Sequence, residues 1–95
     1  MNMKKLLNQH KIRLKDRIKR INLAEIETST VYENMVVTKI NYVVNTTGVQ
    51  EICDIIMNDL WNSKIEMRIS YEIKEGVIFE GSRIPYTIKI ISVVK

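Results

Sequence analysis

Cysteine occurs once, at Cys53, so the chain can form neither an internal disulfide nor a multi-cysteine metal site. Histidine also occurs once, at His10, which leaves no second imidazole to share a metal or relay a proton. The three glycines, Gly48, Gly76 and Gly81, are spaced like neither G-x-x-x-x-G-K nor G-x-G-x-x-G, so no phosphate loop is present. Zinc-finger, calcium-loop and hydrolase signatures are absent as well. No apolar run approaches the roughly 18 residues of a membrane span. The opening residues offer only "LL" between lysines and polar side chains, short of the apolar core of a signal peptide, so no leader is expected. These absences argue against an enzyme. We expect no cofactor, no metal and no small-molecule substrate, and a reducing cytoplasm suits the lone thiol.

What is there is a core and an uneven charge. The 95 residues are 45% hydrophobic, enough for one small globular domain spanning 1–95 and too much for disorder. A chain of this length buries only about 60–65% of its unfolded surface, so a second copy or a protein partner would help it. Residues 1–20 carry eight Lys and Arg against one acid, Asp16, for a net +7. The remainder carries seven bases against ten acids, a net −3. A basic arm on a mildly acidic body points to a polyanionic partner. One alanine, Ala24, against abundant Ile, Lys and Asn resembles AT-rich coding of the kind found in low-GC bacteria, their phages and plasmids.

The spacing predicts a basic N-terminal helix over 3–22. Met3, Leu7, His10, Leu14, Ile18 and Ile21 fall on one stripe at 3.6 residues per turn. Lys4, Lys11, Lys15 and Lys19 line one flank, and Arg13, Arg17 and Arg20 the other. Ile12 falls on the basic side. Lys4 and Lys5 sit at the positive end of the helix dipole, so the stripe must dock on something for the helix to hold. Residues 23–33 read as a connector leading into a strand at 35–44, with a hairpin near "ENM" as the alternative. Thr47 and Gln50 have capping-box spacing and open a second helix to about residue 62, with Val49, Ile52, Cys53, Ile56 and Leu60 as its buried stripe. Ile65, Met67, Ile69, Tyr71 and Ile73 alternate strictly with polar residues, the mark of a half-buried strand. Residues 84–94 return beside it after a turn at 80–83, and Gly76 suggests a bulge or a second turn.

The expected fold is therefore α+β: two amphipathic helices packed on one face of an antiparallel sheet, in the order α-β-α-β-β, or α-β-β-α-β-β with the hairpin near "ENM", and with a long C-terminal β-hairpin. Helix then hairpin is also how a winged-helix domain closes, and that arrangement is the alternative. For function, the charge layout predicts a nucleic-acid-binding accessory protein of a plasmid, phage or other mobile element, with DNA ahead of RNA. Phosphate contacts are assigned to Lys4, Lys5, Lys11, Arg13, Lys15, Arg17, Lys19 and Arg20, with Lys74 and Arg83 on the hairpin as second contacts. The alternative is a protein–protein module, such as a phage structural protein or an inhibitor of a host protein, docking through the first helix and "GVIF" at 76–79. His10 on the apolar stripe reads as a packed residue and Cys53 as a small core residue. The carboxylate pairs Glu51/Asp54 and Glu72/Glu75 read as surface charge. Trp61 reads as either core edge or interface anchor.

Overall fold

The structure, a computed structural model, describes residues 2–45, 48–74 and 83–95, leaving aside the side chains of 43–45, 83 and 84. Helix α1 is Met3–Lys19. Asn2 caps it, its side-chain oxygen accepting the Lys4 N–H at 2.9 Å. Leu7, His10, Leu14 and Ile18 are buried at the 3-4-4 spacing of one helix face, while Met3 and Ile12 are exposed. The helix stops three residues short of the expected end. There the Arg20 and Ile21 N–H groups donate to the carbonyls of Arg17 and Ile18, in tight three-residue turns. Leu23 then adopts a left-handed φ of 67°, which swings the chain into the sheet.

The presumed connector is a full strand. β1 is Ala24–Val31 and pairs antiparallel with β2, Met35–Asn45, through a hairpin in which the Tyr32 N–H donates to the Met35 carbonyl at 2.8 Å. Helix α2, Gly48–Asp59, follows, then β3, Ile65–Ile73, and β4, Arg83–Val94. The order is α-β-β-α-β-β, the one that the hairpin alternative near "ENM" gives and one strand more than the connector reading. The sheet is antiparallel with strand order β1-β2-β4-β3. The winged-helix alternative does not describe it. Such a domain sets its hairpin against a helix-turn-helix, whereas here the β1–β2 hairpin separates α1 from α2 and the closing hairpin completes a four-stranded sheet, β4 pairing with β2 from Met35↔Val93 to Asn45↔Arg83. The turn expected at 80–83, the irregularity at Gly76 and the Thr47 half of the capping box lie outside the described residues. The Gln50 amide donates to Asp54 at 3.0 Å.

The register builds the inner face in rows across the sheet. One row is Val31, Val36, Ser92, Met67; the next is Ser29, Thr38, Ile90, Ile69; then Ile26, Ile40, Ile88, Tyr71; then Ala24, Tyr42, Tyr86, Ile73. The register of β1 shifts between Ile26 and Thr28, so Glu27 is an extra residue. This bulge carries the inward set from even-numbered Ala24 and Ile26 to odd-numbered Ser29 and Val31. Both helices cover this face. Leu14 and Ile18 of α1 and Val49, Ile52, Cys53 and Ile56 of α2 pack with Ile40, Ile88 and Ile90 as one cluster. Cover runs out at one corner. Tyr71 and Ile73 on edge strand β3 are more than half exposed, and Tyr71 meets only the edge of the Tyr86 ring at 5.9 Å.

Candidate nucleic-acid interface

The buried stripe of α1 fixes where its cations go. Lys4, Lys5, Arg13, Lys19 and Arg20 are exposed, and Lys11, Lys15 and Arg17 are half-buried on the flanks. The two flanks differ. Arg17 forms an ion pair with Asp59 at the end of α2, and Arg20 pairs with Asp16 one turn back at 3.0 Å. Arg13, Arg17, Arg20, Asp16 and Asp59 line one shallow depression, so the arginine flank is partly neutralised from within the molecule. The other six cations of α1 are in no ion pair among the described residues.

His10 adds no charge to this surface near neutral pH. It is 5% exposed and shares a 2.8 Å hydrogen bond, through Nε2, with the fully buried Ser92 hydroxyl of β4. Burial, and then the nearby Arg13 cation, lower its pKa from the usual 6.5, so it is held neutral. The packed, satisfied role read from the sequence is the one observed. Cys53 is likewise a core residue, its thiol pKa raised by burial and by Asp54. Among the described residues no three His, Cys, Asp or Glu side chains gather where they could hold a metal ion, and no helix is long and apolar enough to cross a membrane.

The two hairpin cations lie on the β3–β4 side of the sheet. Lys74 follows β3, with its N–H donating to the Pro85 carbonyl at 3.0 Å. β3 is the edge opposite β1, three strand spacings or about 14 Å across the sheet. For Arg83 only the backbone is described, paired with Asn45.

One feature escaped the sequence, and a second is open to two readings in it. On the sheet face away from the helices, Lys39 of β2 lies directly opposite Lys89 of β4, with Arg68 on the same face of β3. Like charges facing each other across strands are unfavourable, and only the register reveals them. The second feature is Trp61. It is 78% exposed, so it is not a core-edge residue. It opens the α2–β3 corner, where the Asn62 side chain accepts the Lys64 N–H at 2.9 Å and the Asn62 carbonyl accepts the Ile65 N–H at 3.0 Å. Those two bonds fix the corner as an Asx turn. A cavity of about 200 Å³ lies between this corner and α1, lined by Gln9, His10, Arg13, Asp59, Trp61 and Asn62 among others. Comparison with protein-family models, with the curated proteins and with solved structures gives no match to this chain.

Proposed function

We propose that this chain is a nucleic-acid-binding accessory protein, acting on DNA in the first place, that holds phosphates along α1. The observation that carries the reading is the division of α1 into two faces. Leu7, Leu14 and Ile18 lock one side into the core, and the other side presents Lys4, Lys5, Arg13, Lys19 and Arg20 on a fixed rod. Charges carried on a docked helix lose little freedom on meeting a phosphate chain, and each phosphate neutralised releases counterions. The net +7 of residues 1–20 over a body of −3 would orient the molecule as it approaches. The AT-rich composition supports a plasmid, phage or other mobile element as the setting, and a buried free thiol suits the cytoplasm.

A gel-shift series on duplex DNA, single-stranded DNA and RNA tests the proposal. With about five phosphates engaged, log K against log salt should fall with a slope of about −4 to −5 on duplex DNA. A protein that ignores DNA and heparin at low salt refutes it. The second reading, a protein–protein module such as a phage structural protein or a host-protein inhibitor, draws on Ile12, which is 67% exposed among the cations of α1. An apolar interface of that kind would change little with salt.

A further inference from the structure

We infer that Trp61 is a stacking platform for an unpaired base of a single-stranded nucleic acid, with Arg13 across the cavity taking the adjoining phosphate. The inference rests on the nucleic-acid reading of α1 and narrows it to unpaired strands. The chain has one Trp, and instead of filling a small core it stands in solvent on a corner pinned by two hydrogen bonds. An exposed indole next to cations on a docked helix is the arrangement by which proteins hold single strands, since every base has a π-face and every nucleotide a phosphate.

The lining of the cavity suits the same class of ligand. Leu6, Leu60 and Ile65 line it with the indole, and Gln9, His10, Arg13, Asp59 and Asn62 bring amides and charges to it, a mixture that fits a flat base with a polar edge and a phosphate beside it. The Asn62 oxygen already accepts the Lys64 N–H, which leaves its amide N–H groups to donate to a base edge. Arg17 occupies the Asp59 carboxylate, so Arg13 is the cation that remains for a phosphate. A cavity of about 200 Å³ takes a single ring system. A duplex cannot use it, because both faces of a paired base are already covered by its neighbours in the stack.

Because Trp61 is the only Trp, intrinsic fluorescence reports the site without a label. The experiment titrates the full chain at low salt with a short oligo(dT), with a duplex and with heparin. Stacking should quench the emission with oligo(dT), while heparin, which has no bases, should bind without quenching. Trp61→Ala should weaken oligo(dT) by about 5- to 150-fold and leave heparin affinity unchanged, and Trp61→Phe should keep most of the oligo(dT) affinity. The exposed position predicts unchanged melting for both variants. Oligo(dT) binding with unaltered emission, and equal affinity for Trp61→Ala, would overturn the stacking site while leaving the phosphate reading of α1 intact. Equal quenching by duplex would overturn the preference for unpaired bases. Emission that shifts with protein concentration alone would make Trp61 a contact between copies and overturn the inference. Failure to bind any of the three polyanions would bring down the function of α1 and this site with it.

Discussion

The His10–Ser92 hydrogen bond is the most exacting test of the packing. It joins α1 to a central strand through the core, with Ser92 fully buried and His10 nearly so. Ser92→Ala takes from the imidazole Nε2 its partner on the fully buried β4 side. An unsatisfied buried polar group costs about 1–3 kcal/mol. For a domain of this size each kcal/mol is about 4–8 °C in melting temperature, so a loss of 2 kcal/mol would lower it by roughly 8–16 °C. Removing both polar groups together, as His10→Leu with Ser92→Ala, leaves nothing unsatisfied and should recover most of that loss. Urea melts of the wild type, both single variants and the double variant close the cycle, and the coupling should be about 1–3 kcal/mol. Additive effects would show that the bond contributes nothing and that the two side chains merely lie near each other. The same residue sets a pH dependence. Its folded pKa lies below the usual 6.5, so below that pH the unfolded chain takes up a proton that the fold refuses. Stability from this group is whole above pH 6.5 and drains away as the pH falls toward the folded pKa. Arg13 and Asp59 line the cavity beside His10. The double variant should lose the dependence, and a profile unchanged from the wild type would refute the assignment.

Leu14→Ala or Ile18→Ala, at positions with 0% and 1% exposure, should each cost about 2–5 kcal/mol and in so small a domain can abolish the urea transition. Arg13→Ala should lower affinity for DNA more than Arg17→Ala, measured by gel shift, because Arg17 is already committed to Asp59. Arg17→Ala should instead show in stability, by no more than about 1 kcal/mol, since that ion pair is partly exposed. Leu23→Gly should raise stability by about 0.5–1 kcal/mol, as removing Cβ relieves a left-handed φ of 67° by more than the added backbone freedom takes away. A thermal melt decides it, and a lower transition would mean that the half-exposed Leu23 side chain is packing after all.

The parts legible in the sequence are those governed by a single period. The stripe of α1, the stripe of α2 and the alternation of β3 each repeat cleanly, and the middle of each helix stripe and the start of β3 are covered as the repeat selects, with Ile12 left outside. β1 is legible only as the hairpin alternative, because its inward positions include Ala24 and Ser29 and Glu27 breaks its alternation halfway. A bulge erases the very signal by which a strand is found. Alternation also overstated β3, whose Tyr71 and Ile73 keep the pattern yet lie beyond the reach of the helices. In the candidate site, the number and type of cations on α1 could be read from the chain. That Asp59 would neutralise Arg17, or that Lys39 would face Lys89, depends on which strands are neighbours, and local spacing carries no trace of that.

The strand order has a kinetic consequence. β2 and β4 form the centre of the sheet, yet all of α2 and β3 lie between them along the chain. Until β4 arrives, the β1–β2 hairpin has one raw margin and β3 has no strand to join, so two incomplete halves wait for the same keystone. Closing so long a loop comes before any of its contacts can form, which places this chain among slow folders for its length. The waiting margin of β2, rich in Val and Ile, is a template for a strand from any other molecule. A lesion in β4 therefore does more than loosen an end: it removes the seam that joins the halves, and crowded synthesis becomes a race between that seam and a neighbour's.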